Sequence, residues 1–282
     1  MPLVLLLLLL LQLPAERLIL DIEDSVTQEI DNLTKFESKE IIEPNANSCA
    51  SPASVYWASI HNQSSLRPFP VKFRERLRGE LKTQISGLQA DINSENKLVF
   101  ESGPAEKAIS SEFLARANLD QLLSFNFHSL SNGTITERAI AARLYCKLME
   151  NNRDYLYDYV AENGYPVTAD LGENGAEAGR LLVKHFTDKE RFSEIKIAAD
   201  LAYAESNLSG VDYGSFLDFA HQMKHGTQIL GTYRTCRDGD PIYYPALESE
   251  QEADKLRAQL GFGRTAAEAL RAYGAKFCET SE

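Results

Sequence analysis

Apolar positions recur along this chain mostly at helical steps. Phe73, Leu77, Leu81, Ile85, Leu88 and Ile92 follow one another at intervals of four and three, which places them on one face of a helix. A second helix is expected from about Ala105 to Phe125. Thr134 stands three residues before Glu137, the spacing of a capping box, and opens a long helix through Leu144, Leu148 and Val160. Gly164 ends that helix and Pro166 forbids its return. Gly172 to Gly175 reads as a turn, followed by a helix carrying Leu181, Leu182 and His185. Further helices are expected from about Lys189 to Leu208 and over 213–225, the latter closed by Gly226. Ser249 caps one more helix, stopped by Gly261, and Thr265 with Glu268 makes a second capping box.

Three stretches depart from this pattern. Leu18, Leu20 and Ile22 alternate at first, although Ile19 blurs the alternation and Val26 follows at a helical step, so this segment reads as either a strand or a loose helix. From Pro44 to Pro70 the chain is rich in Ser, Asn and Pro, with Ser51-Pro52 able to open a short helix. Residues 229–244 are β-prone on both sides of Asp238-Gly239, a hairpin signal. The sum is a mainly α protein with bundle-like helical packing and one small β-hairpin near 229–244. The Ser131–Thr134 break divides it into an N-terminal helical region, 16–130, and a C-terminal helical domain, 131–282.

Leu3 to Leu11 is an unbroken apolar run of nine residues, too short for a membrane helix, which needs about 20. With Ala15 as a small residue at the cleavage point, residues 1–15 read as a signal peptide. The protein is therefore expected to be exported, periplasmic or secreted, without a stable membrane span. Four cysteines fit an oxidising compartment. Cys236 and Cys278 are the favoured pair, which leaves Cys49 with Cys146. The chain carries 29 Lys+Arg against 41 Asp+Glu over 282 residues, a net charge of −12. That balance argues against nucleic acid as a partner.

Several motifs of the C-terminal half occur together and in order: Gly164-Tyr165-Pro166, Gly175-Ala176-Glu177-Ala178, Leu181 to His185, and Gly226-Thr227-Gln228. Asp238-Gly239 with Pro241 and Pro245 follows, and then a helix end at Leu260-Gly261. An alternative register sets Gly231-Thr232-Tyr233 in the place of Gly226-Thr227-Gln228. In this order and spacing the half resembles the bacterial domain-of-unknown-function family numbered 6624. The resemblance implies an α-helical domain and brings no activity with it.

Two constellations carry candidate chemistry. His221 and His225 lie four residues apart on a predicted helix and share a face. Such a pair can hold a divalent metal with a third ligand, for which His185, Asp212 and Asp218 are the candidates. No other cofactor is indicated. His185 with Gln228 is the second constellation: histidine exchanges protons near neutral pH, and an amide can orient a substrate. The leading expectation is a protein that binds a partner protein or a small ligand, with an apolar patch around Tyr155, Tyr157 and Tyr159 or around Tyr243 and Tyr244. The alternative is a hydrolase-like enzyme using His185 and Gln228, with or without metal at His221 and His225.

Overall fold

A computed structural model describes residues 14–32, 71–94, 99–100, 108–129, 135–185 and 191–278. The Leu3–Leu11 run, Cys49, the helix expected at Ser51-Pro52 and the Ser131–Thr134 break lie outside these residues. Nine helices and one hairpin occur among them: α1 Pro14–Asn32, α2 Val71–Ile92, α3 Ala108–Ser129, α4 Ile135–Asn163, α5 Thr168–Lys184, α6 Phe192–Ala204, α7 Gly210–His225, β1 Arg234–Arg237, β2 Asp240–Tyr243, α8 Glu250–Gln259 and α9 Ala266–Phe277. The protein is thus mainly helical with one two-stranded antiparallel sheet. Two compact units divide the chain, one of Met1–Asp158 with Leu171–Thr187 and the other of Tyr159–Asp170 with Asp188–Glu282. This division does not fall at residue 131, where the sequence places its break.

In the first unit, α1 to α4 share one apolar core. Ile19, Ile22, Val26 and Ile30 line one face of α1, and Leu77, Leu81, Ile85 and Leu88 line one face of α2. Leu119 of α3 with Leu144 and Leu148 of α4 complete it, each fully buried. Burial of each such side chain stabilises the fold by about 2 kcal/mol. The segment that reads as a strand or a loose helix is a well-formed helix. Ile19, which blurs the alternation, is its most deeply buried residue, while Leu20 is only half-buried.

α3 differs from its neighbours because every residue from Phe113 to Asp120 is buried. A helix enclosed on all sides must satisfy its polar side chains internally. Arg116 pairs with Glu112 at 2.8 Å, donates to Asn151 at 2.6 Å and lies 4.0 Å from the ring centre of Tyr155. The Asn118 amide oxygen accepts from Val99 N at 3.0 Å and Phe100 N at 2.9 Å, and its nitrogen donates to Phe100 O. Asp120 meets His185.

In the second unit, Ser209 caps α7 by accepting from Asp212 N, and Gly226 closes it in the left-handed conformation (φ 76°). Gly210 sits so close to the end of α8 that a Cβ would collide with the Leu260 carbonyl oxygen. The hairpin is shorter than expected. Asp238 and Gly239, both at positive φ, turn β1 into β2 with Thr235 opposite Ile242. Residues 229–233 are not strand but wrap around the Asp218 carboxylate. Oδ1 accepts from Ile229 N and Leu230 N, both at 2.7 Å. Oδ2 accepts from Thr232 N at 2.8 Å and the Thr232 hydroxyl at 2.7 Å. Cys236 and Cys278 are disulfide-bonded, Cα–Cα 5.5 Å, tying β1 to the end of α9. The helix break at Gly172 (φ 72°) lies inside α5, at the first glycine of the expected turn. Both α8 and α9 carry the caps read from the sequence, and the Thr265–Glu268 capping box is complete.

Candidate functional site

Leu217, Ala220, His221 and Lys224 of α7 follow the 0, 3, 4, 7 spacing of one helix stripe. This stripe faces Phe192, Ser193 and Lys196 of α6 and encloses with them a groove of about 510 Å³. Met223, His225 and Ile229 complete the lining. The chain reaches Ile229 because Gly226 stops α7 and turns it back. Phe192 is fixed in place by stacking on Phe216 at 5.6 Å and meeting Phe219 edge-on at 5.5 Å. Apolar side chains thus form the floor, and Ser193, Lys196, His221, Lys224 and His225 form the polar part.

Asp200 links the two helices beside the groove. It accepts from Lys196 at 2.7 Å and from the Tyr213 hydroxyl at 2.8 Å. Burial first, and then the Asp200 carboxylate, push the Tyr213 hydroxyl up to about 12. It therefore stays protonated as a donor throughout the physiological range.

Gln228 and Glu248 fix the chain that follows α7. Gln228 is fully buried. Its Nε2 donates to Tyr233 O at 2.8 Å and Pro245 O at 2.5 Å, and its Oε1 accepts from Tyr233 N at 3.0 Å. Its backbone pairs on both sides, with Gln228 N donating to Ala246 O and Glu248 N donating to Gln228 O. Those two bonds fix the segment so that Glu248 meets the end of α7. Glu248 Oε1 lies 2.7 Å from His221 Nε2 and accepts from the Thr227 hydroxyl at 2.6 Å. The Thr227 hydroxyl, then His221, hold the Glu248 carboxyl below the usual carboxylate range.

The structure brings His221 and His225 together, their ring centres 4.4 Å apart. Neither of the two aspartates expected as a third ligand joins them. Asp218 is enclosed by backbone N–H groups, Asp212 is bonded to the Ser209 cap, and His185 belongs to the other compact unit. The carboxylate that reaches the pair is Glu248, and it bonds to His221 itself. Among the described residues, no group of three His, Cys, Asp or Glu side chains is arranged to hold a metal ion.

His185 and Gln228 likewise fall in different units. Gln228 is a scaffold residue, its amide fully engaged with backbone groups. His185 follows the last turn of α5, its N–H donating to Leu182 O at 3.1 Å. Its Nδ1 lies 2.7 Å from Oδ2 of the fully buried Asp120. Asp120 also accepts from the Gln121 side chain at 3.0 Å. Because Nδ1 is buried and the side chain is 28% exposed, the accessible part of the ring lies away from Asp120.

Of the tyrosines expected to form a patch, Tyr159 is buried, Tyr155 packs edge-on against Phe113 at 5.3 Å, and only Tyr244 is exposed. Asp120 and Glu248 are the site residues that sequence reading missed. Asp120 sits 65 positions from its histidine with no motif to join them. Glu248 reads as one of several carboxylates at the start of α8. Cys146 is buried on α4, and the pairing expected for it involves Cys49, outside the described residues. No helix among the described residues is long and apolar enough to cross a membrane. No protein-family model, no curated protein and no solved structure matches the chain.

Proposed function

We propose that this is a binding protein that seats a small, largely apolar ligand in the groove between α6 and α7. The observation that carries this reading is the groove itself. Its volume of about 510 Å³ is that of ordinary small-molecule sites. Phe192, Leu217, Ala220, Met223 and Ile229 line it with apolar surface, and a few polar groups stand where they would orient a ligand. An exported location, periplasmic or secreted, belongs to the same reading. It is supported by the Leu3–Leu11 run and by the Cys236–Cys278 disulfide, since such bonds persist in oxidising compartments. The test is titration with Nile red, a neutral probe whose fluorescence rises in apolar surroundings. Saturable 1:1 binding is expected, and it should be lost in Ala220→Trp, which fills the groove. An absence of saturable binding to the unaltered protein removes the reading.

The Asp120–His185 pair favours a second reading, a hydrolase-like enzyme. The reading requires the buried Asp120 carboxylate, 2.7 Å from Nδ1, to accept from it in the working enzyme and so to set the imidazole tautomer, leaving Nε2 to accept a proton from water. Gln228 has no part in this version. The measurement is turnover of a series of p-nitrophenyl esters. His185→Gln should abolish turnover, and Asp120→Asn should lower it while shifting its pH profile. Equal rates for the unaltered protein and His185→Gln exclude this reading.

A further inference from the structure

We infer that the ligand of the α6–α7 groove is a single-chain organic anion, a medium-length apolar tail ending in one carboxylate, whose head is received by Lys224 and His225. The inference rests on the binding reading above and names its ligand class.

Charge is the first argument. The chain as a whole carries −12, yet four of the residues lining the groove are Lys or His and none is Asp or Glu. The groove thus carries basic side chains and no acid in its own lining, on a protein that is acidic overall, which favours an anion.

Partners are the second argument. Two carboxylates approach from neighbouring elements. Asp200 takes Lys196 at 2.7 Å, and Glu248 takes His221 at 2.7 Å. Lys224 forms no ion pair among the described residues, while His225 feels the Glu248 carboxylate through its charge alone, without a hydrogen bond to it. An incoming anion therefore finds its charge complement at Lys224 and displaces no carboxylate from it.

The position at the end of α7 opposes this in part, because a helix C-terminus carries about −0.5 of an elementary charge. The full positive charge of Lys224 in that last turn exceeds the partial charge of the helix end. The αL cap also reduces the opposition, because Gly226 N already donates to Gln222 O at 2.8 Å. One full unpaired cation beside a histidine suits a single negative charge. No arginine lines the groove, so the planar two-point grip typical of phosphate recognition is missing. The tail follows from the floor: Phe192, Leu217, Met223 and Ile229 offer apolar surface that a small inorganic anion would leave uncovered.

The experiment is displacement of Nile red from the full-length protein by decanoate, 1-decanol and decyltrimethylammonium, all below their aggregation limits. Direct calorimetric titration with decanoate accompanies it. Decanoate is expected to displace the probe at a concentration at least tenfold lower than decanol, and the cation to be weaker still. Lys224→Glu should weaken decanoate at least tenfold and leave decanol unchanged. The same reversal at Lys276, which does not line the groove, should leave all three unchanged. Equal displacement by decanoate and decanol overturns the ligand class, while saturable Nile red binding would keep the groove reading standing. Loss of decanoate affinity in Lys276→Glu as in Lys224→Glu also overturns it, since the effect would then be one of net charge. Absence of both Nile red binding and decanoate heat removes the groove reading and this inference together. Lys224-dependent binding to phosphatidylglycerol vesicles without binding of free decanoate would assign the surface to a membrane, which again overturns the proposal.

Discussion

The two compact units bury polar groups in opposite ways. Around α3 the buried polar side chains mostly meet other side chains: Arg116 with Glu112 and Asn151, Asp120 with His185. They decorate a core whose cohesion comes from apolar stripes on four helices. In the unit of α6 to α9 the buried polar side chains mostly hold backbone. Asp218 gathers residues 229–232, Gln228 joins Tyr233 to Pro245, and Arg257 donates to Leu230 O at 2.9 Å and Arg264 O at 2.8 Å. Irregular chain has no ladder of its own, so each buried N–H and C=O needs an external partner. The contrast teaches that a helical stripe stabilises by area, and a folded loop by a few anchors.

This contrast predicts where each unit breaks. The largest effect is expected from Cys236→Ser with Cys278→Ser. Opening a loop closed across a separation of 42 residues should lower the stability of the α6–α9 unit by about 4 kcal/mol. Hydrogen exchange read segment by segment would show the loss, and unchanged protection across 192–278 would contradict it. Leu144→Ala should cost about 3.5 kcal/mol in the first unit through an unfilled cavity, and protection should fall across α1 to α4 together. A local loss confined to α4 would mean that the four helices do not share one core. Asp218→Ala should cost about 3 kcal/mol by stranding backbone donors, with protection lost first at 229–232. If the loss instead spread evenly over the unit, Asp218 would be an ordinary core residue and not a loop anchor.

The smallest effect concerns Glu29 of α1. Burial raises its carboxyl, but hydrogen bonds from Arg143 at 2.6 Å and Lys147 at 2.8 Å outweigh this and leave it below the ordinary 4.5. A folded-state value below the unfolded one contributes stability that is present above 4.5 and lost as pH falls through the folded value. Glu29→Gln should therefore cost about 1 kcal/mol at neutral pH and less at an acidic value below 4.5. Urea midpoints at the two values decide this, and a pH-independent difference would rule out the ion pair as its cause.

What could be read from the sequence follows the same divide. The stripe of α2, the caps of α8 and α9 and the stop at Gly226 are local signals, set by spacing or by a single residue type. The β-prone run at 229–233 misled, because Ile229, Leu230 and Tyr233 satisfy a strand pattern while their backbone partners come from Asp218 and Gln228. No periodicity encodes that substitution. The groove was half legible: the His221–His225 face was visible, but its apolar floor needed the packing of α6, and Glu248 needed the pairing of Gln228 with residues 246 and 248. Asp120 was invisible, since one aspartate inside an apolar helix looks like a surface position until the helix is enclosed.

The disulfide has one more consequence. Together with the chain between them, Cys236 and Cys278 close a covalent ring that contains β2, α8, α9 and Glu248. A protease that cuts anywhere within the ring opens a bond but releases no fragment. The nicked protein keeps its mass, apart from one added water, until a reductant separates the pieces. For a protein read as exported, damage to the segment that carries Glu248 would go unseen on a non-reducing gel.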